Sequence, residues 1–243
     1  MIKGIYTTAA GLHPLVLAED ITSNNLANLN TTGFKKEALH FNQILDSQFA
    51  LANQIDNESD IANVEDVMIN YSQGELRATN NPLDVAIDGK GFFAIQTPDG
   101  ERYTRNGNFK ILENGQLVTA EGNPVLGMSK TIELLPGEVK INEKGEILQN
   151  GVLVDQLKIV NFEEPYPLQK QGEGLFNLTK NAVETNNENN VTIHQGYLEE
   201  SNVNPIAEMV KLITISKIFQ AGQRSIQNQD RTLEKLVNSV GKY

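Results

Sequence analysis

The chain has 243 residues, with 31 acidic against 20 basic side chains, a formal net charge of -11 and no cysteine. That charge argues against nucleic-acid phosphates or an anionic membrane as the partner, and the missing thiols exclude disulfides and thiolate metal sites. The length suits one large domain or two modest ones, and no apolar run approaches a membrane span.

Residues 2–29 read as a helix. Ile2, Ile5, Ala9, Leu12 and Val16 step by three and four, a heptad-like face that continues loosely through Leu17, Ile21, Leu26 and Leu29. Pro14 removes a backbone donor and crowds the preceding turn, so a kink or break is expected there. Lys3 followed by Ile5 to Ala18 faintly resembles a signal peptide, but Thr7, Thr8, His13 and Pro14 interrupt its apolar stretch. Asn24, Asn25 and Asn28 surround Leu26 and Ala27, ahead of Thr32, Gly33, Phe34 and Lys35. Asparagine favours caps and turns over helix interiors. The run is therefore either a helix end whose amides serve an interface or an ordinary polar terminus, with Gly33 at the chain reversal.

Residues 36–81 read as a polar connector, with Phe41, Ile44, Leu45 and Phe49 spaced for a short helix. Asn53–Asn63 is acidic; Asp56, Glu58 and Asp60 lack the glycine of a calcium-binding loop, so a solvated loop is expected. From Asn81 the period becomes two: Leu83, Val85 and Ile87 alternate with Asp84, Ala86 and Asp88, a half-buried strand with a solvent-facing acidic pair. Asp88-Gly89, Asp99-Gly100, Asn106-Gly107, Asn114-Gly115 and Asn150-Gly151 then supply hairpin turns. Strands are expected at 92–96, 101–105, 108–112, 116–119, 131–134, 139–142, 146–149, 156–162, 174–178 and 191–195. Short strands at this spacing indicate an antiparallel sandwich or barrel-like domain. Lys110–Val118 and Lys140–Leu148 share one pattern of strand, glycine turn and strand.

The C-terminal region opens on Gly196–Pro205, where Ser201, Asn202 and Asn204 suit a helix N-cap and Pro205 a first turn. Met209, Leu212, Ser216, Phe219, Gln223, Ile226, Asp230, Leu233, Val237 and Val240 then form a heptad seam, with Ile206, Val210, Ile213 and Ile218 widening it. A helix this long needs a partner, and the N-terminal heptads are the candidate. Catalysis has little support: His13, His40 and His194 fall in different elements, and no nucleophile elbow, paired-histidine metal motif or phosphate loop occurs. No metal, cofactor or small-molecule substrate is expected.

Asn24–Asn28 with Thr32–Lys35, and Gly196–Asn204 with Glu208-Met209-Val210, resemble the two terminal signatures of the bacterial flagellar rod and hook family. Pro82–Gly89, Gly91-Phe92-Phe93 and Tyr103–Phe109 resemble its β-domain. The resemblance implies an α+β chain: residues 1–35 with 201–243 as a helical, coiled-coil-like assembly domain, 36–81 as connector, and 82–200 as the β-rich domain. It implies a structural, non-enzymatic subunit of the basal-body rod, the hollow shaft that carries torque across the periplasm. Its partners would be copies of itself, other rod subunits and the type III export apparatus, which it would enter without a cleaved signal peptide. The assembly residues would be Ile5, Leu12, Asn24, Asn25, Leu26, Ala27, Asn28, Thr32, Gly33, Phe34, Lys35, Tyr197, Leu198, Glu199, Ser201, Asn202, Val203, Asn204, Met209, Leu212, Phe219, Ile226 and Leu233. The terminal helices would order on assembly. Asn202–Pro205 with Met209–Ile213 is more similar to the proximal F-type than to the distal G-type or hook-type members. A β-sandwich binding module with a coiled-coil oligomerisation domain is the rival class; it would close into a small oligomer instead of an open filament.

Overall fold

The computed structural model describes residues 2–40, 66–172, 174–179, 184–185 and 191–240. It is an α+β fold in which every strand pairing among the described residues is antiparallel. The chain divides into two compact units: one holds both helices and the first two strands, the other holds Leu29–Lys35 and Ser72–Asn202.

In the helical unit, of the kink or break expected at Pro14 the break is overturned, since α1 (Ile2–Ala27) runs through that residue unbroken. It packs against α2 (Pro205–Val240), and tertiary packing of this kind outweighs one missing backbone bond. Asn204 is the N-cap of α2, its Oδ1 accepting the Ala207 N–H at 3.0 Å. Heptad spacing is present on α2, but the seam lies one residue away from the sequence reading at alternate positions. Among the described side chains, Glu208 and Ile215 are buried, and Leu212, Phe219, Gly222, Ile226, Gln229 and Leu233 continue their spacing as half-buried positions. Leu212, Phe219, Ile226 and Leu233 were read correctly, whereas Met209, Gln223 and Asp230 are exposed and Ser216 is half-buried. The reason is chemical: apolar Met209 was preferred to Glu208, whose carboxylate is buried by pairing, and Gly222 is inward because Leu12 lies over it. On α1, Ala18 and Ile21 are buried, and Val16 faces outward. The side chains of Ile2, Ile5 and Ala9 fall outside the described residues.

Strands β1 (Glu37–His40) and β2 (Asp66–Ile69) pair within the stretch read as connector, and β3 (Leu76–Ala78) also lies there. They are only three or four residues long, too short to show a period, which hid them. The helix considered for 41–49 and the acidic stretch at 53–63 lie outside the described residues.

The β unit continues with β4 (Val85–Asp88), β5 (Phe92–Thr97), β6 (Gly100–Thr104), β7 (Phe109–Ile111) and β8 (Leu117–Thr119). Next come β9 (Val139–Ile141), β10 (Glu146–Gln149), β11 (Val152–Gln156), β12 (Ile159–Phe162), β13 (Leu168–Gly172) and β14 (Leu175–Leu178). The last three are β15 (Glu184–Thr185), β16 (Thr192–Gln195) and β17 (Tyr197–Glu199). The largest sheet has the order β13-β14-β6-β5-β12-β15, and β11-β10-β9 forms a second. Two-stranded ladders join β16 to β4, β17 to β3 and β7 to β8. The stretch 131–134 makes only isolated bridges, and the strand expected at 156–162 is divided between β11 and β12.

The repeated pattern is two equivalent hairpins. Ile111 pairs with Leu117 and Ile141 with Ile147, and Gly115 and Gly145 each donate N–H to the carbonyl three residues back. Both send apolar side chains into a core that includes Val85, Ile87, Phe93, Ile95, Phe109, Leu117 and Ile147. Strand β5 is buried on both faces, so adjacent Phe93 and Phe92 face different clusters. Phe93 stacks edge-on against Phe109 at 5.2 Å, and Phe92 lies among Phe162, Tyr166 and Phe176. Strand β4 is covered on both sides too, which suppresses the expected alternation: Val85, Ala86 and Ile87 are all buried. Asp84, read as solvent-facing, is buried and accepts from the Asn81 and Asn108 amides at 3.0 and 3.1 Å.

Candidate functional site

In the β unit the quoted motifs converge on one carboxylate. Glu199, at the end of β17, is fully buried. Its Oε1 accepts from Lys35 Nζ at 2.5 Å and from the Gly74 N–H at 2.9 Å, and its Oε2 from Arg105 Nη1 at 3.2 Å. Its backbone carbonyl accepts the Gly33 N–H at 2.8 Å. Lys35 Nζ also donates to Ser72 O at 2.8 Å, and Arg105 Nη2 to Gly89 O at 2.6 Å over the ring of Phe92. Asn202 closes the same junction, its backbone N–H donating to Phe34 O and its amide to Ser72 O.

Gly33 explains how the segment enters. Its φ is +68°, and a Cβ there would stand 2.5 Å from the Arg105 carbonyl carbon and the Asn106 nitrogen. Only glycine accepts both that dihedral and that approach. The residue does not cap α1, which ends at Ala27, but closes a later turn in which Phe34 N–H donates to Thr31 O.

Two cations on one buried carboxylate leave a net positive node. Burial pushes the Lys35 ammonium below its ordinary pKa, the Glu199 charge pulls it back up, and the neighbouring Arg105 lowers it further. Burial likewise lowers Arg105, against the opposing pull of Glu199. A base whose folded pKa is depressed binds fewer protons folded than unfolded between that pKa and its ordinary value of 10.5. Its contribution to stability therefore rises as pH climbs through that window. Chemical denaturation of the wild type and of Lys35→Met is expected to give a stability difference that shifts towards the wild type as pH approaches 10.5. A difference independent of pH would contradict this.

The helical unit has its own polar clamp. Asn25, fully buried in the last turns of α1, pairs with the backbone of Glu37: its Nδ2 donates to Glu37 O at 2.8 Å and its Oδ1 accepts Glu37 N–H at 2.9 Å. The same amide reaches Glu208 Oε2 at 3.5 Å, and Glu208 Oε1 holds Lys36 Nζ at 2.5 Å. Asn25→Ala strands a backbone donor and acceptor, so urea unfolding of the helices is expected to show a loss of about 1–3 kcal/mol. A change within error would mean that water replaces the amide.

These geometries sort the residues expected at an interface. Gly33, Phe34, Lys35, Leu198, Glu199 and Val203 are buried within the chain, as is Asn25. Leu12, Leu26, Asn28, Thr32, Ser201, Asn202, Leu212, Phe219, Ile226 and Leu233 are half-buried. Asn24, Ala27, Tyr197, Asn204 and Met209 are exposed, and the Ile5 side chain is not described. The Asn28 amide turns back to Asn24 O at 2.9 Å. Arg105, Lys36 and Glu208 were missed as members of these nodes, although Arg105 and Glu208 stand in the quoted motifs. Ser72 and Gly74 were missed too: Gly74 contributes its backbone N–H, and Ser72 its carbonyl and its hydroxyl, which accepts from the Asn202 amide at 3.1 Å. Among the described residues, no His, Cys, Asp and Glu cluster is placed to hold a metal, and no helix is long and apolar enough to cross a membrane.

Segments from near both ends of the chain and from its middle meet at one buried carboxylate, and the two terminal helices, separated in sequence by the β domain, pack against each other. That defines the class: a structural chain with helical ends and a central antiparallel β domain. Residues 5–35 match the family described as flagella basal body rod protein, 86–149 the flagellar hook protein FlgE/F/G D1 domain, and 194–239 the flagellar basal body rod FlgEFG protein C-terminal region. The flagellar basal-body rod protein FlgF of Caulobacter vibrioides is 36% identical over 228 residues, covering 92% of this chain and 91% of that one. FlgG of Buchnera aphidicola subsp. Schizaphis graminum is 32% identical over 267 residues, covering 97% and 99%. FlgF of Mesorhizobium japonicum is 29% identical over 244 residues, covering 99% of both. The chain belongs to the flagellar basal-body rod protein family, and is a structural rod subunit of the bacterial flagellum.

Proposed function

We propose that the chain is an F-type, proximal-rod subunit that assembles helically through its terminal helices, which pair in the manner of a coiled coil. The observation that carries the assembly reading is the outer face of α2. Ile206 is 74% exposed, Val210 58% and Ile213 55%, with Met209 and Ile218 beside them. Their spacing of three and four makes them one stripe, distinct from the side packed on α1. A run of large apolar side chains in water marks an association surface. A repeated, non-closing contact along such a stripe propagates as a tube. The buried nodes hold each subunit together, and the exposed stripe meets the next subunit.

The alignments favour the F-type. Alignment to the FlgF relatives spans 228 and 244 positions, whereas alignment to the FlgG relative spans 267 positions for 97% of these 243 residues and so needs many more gaps. The subunit acts structurally, without catalysis, and reaches the rod through the type III export apparatus, its helical ends ordering as neighbours dock. Complementation tests the assignment. Expression in a strain lacking its F-type subunit is expected to restore swimming, and expression in a strain lacking its G-type subunit is not. The reverse pattern would make it a G-type protein.

A further inference from the structure

Three Asn-Gly pairs turn the β unit, at 106–107, 114–115 and 150–151. In such a pair the glycine backbone nitrogen can attack the asparagine Cγ. A C–N bond forms, the amide leaves as ammonia, and the resulting succinimide adds water to give aspartate or isoaspartate. No cofactor or oxidant is needed. Attack requires the asparagine amide to swing towards its own chain and the glycine nitrogen to be unencumbered, so local geometry decides which pair reacts.

Two of the three are closed. Asn106 Oδ1 accepts the Asn108 N–H at 3.1 Å, and a Cβ placed on Gly107 would stand 1.7 Å from Val85 O. Asn114 Oδ1 accepts the Gln116 N–H at 3.0 Å, and the Gly115 nitrogen itself donates to Leu112 O at 2.9 Å. A Cβ on Gly115 would meet Leu134 O at 2.5 Å. In both, the amide is fixed and the glycine is packed against backbone.

Asn150 differs in each respect. It lies exposed in the turn between β10 and β11, and among the described residues no hydrogen bond holds its side-chain amide. Space around Gly151 is open, with nothing within 4 Å of an added Cβ. Asn150 also has a φ of +51°, a conformation that a non-glycine residue holds at a cost. We propose that Asn150 is a deamidation site of the folded subunit, converting to aspartate and isoaspartate while Asn106 and Asn114 persist. Conversion puts a new negative charge beside Val152, Leu153 and Val154, the exposed apolar residues of the edge strand β11.

The test incubates the full-length folded protein at mildly alkaline pH, maps its peptides by mass spectrometry, and labels isoaspartate with a protein isoaspartyl methyltransferase. A parallel sample is held in denaturant. Conversion confined to Asn150 in the folded sample, with all three asparagines converting in denaturant, is the expected result. Conversion of Asn106 or Asn114 as fast as Asn150 in the folded protein, or an Asn150 that reacts only in denaturant, would overturn the proposal.

Discussion

Glu199→Ala is expected to lower the stability of the β unit by about 3–5 kcal/mol, because it leaves two buried cations facing each other without their anion. Lys35 and Arg105 are 1% and 4% exposed, so solvent does little to screen them. The Gly74 N–H loses its acceptor in the same step. Lys35→Met acts differently: it leaves Arg105 and Glu199 as a balanced pair, with Gly74 still bonded, and is expected to cost less than half as much. Urea unfolding followed by the circular dichroism of the strands measures both. Equal losses would mean that the lysine and the carboxylate act as an isolated pair, and that the net positive charge of the node has no energetic meaning.

Gly107→Ala is the second large effect. The turn at Asn106-Gly107 lies against β4, with Val85 N–H donating to Gly107 O at 3.0 Å and Asn108 bridging Asp84. A methyl group at residue 107 would fall 1.7 Å from Val85 O and 3.2 Å from Phe93 Cε2. The first neighbour is backbone and has no rotamer to give. Relief means pulling the turn off β4 and opening the core around Phe93, so the expected loss exceeds about 4 kcal/mol, in the range reserved for broken backbone geometry. The urea midpoint should fall steeply, or the folded fraction disappear. A variant within about 1 kcal/mol of the parent would show that the turn shifts freely.

Legibility in the sequence followed how local each signal was. The β7–β8 and β9–β10 hairpins were readable because a glycine turn fixes register within a few residues. Asn204-Pro205 announced the start of α2 for the same reason. Glu208 was passed over for Met209 because a buried carboxylate is intelligible only once Lys36 and Asn25 are seen beside it, and both are remote in sequence. The alternation at Leu83–Asp88 misled because a strand covered on both faces buries its successive residues. Lys35 and Glu199 were singled out by resemblance to a family, but nothing local indicated that they bind each other or that Arg105 joins them. The exposed stripe on α2 was visible only as extra apolar width beside the heptad seam, since sequence cannot say which side of a two-sided helix its partner within the subunit takes.

Light scattering of the full chain across a concentration series, beside the double variant Val210→Asp with Ile213→Asp, tests the assembly claim most directly. Both substitutions fall on exposed positions, so the helical content of the dilute subunit should be unchanged. The wild type should grow with concentration into open-ended oligomers that gain helix, while the variant stays monomeric. A wild type that stops at one small closed oligomer, or a variant that polymerises equally well, would contradict assembly through this face of α2.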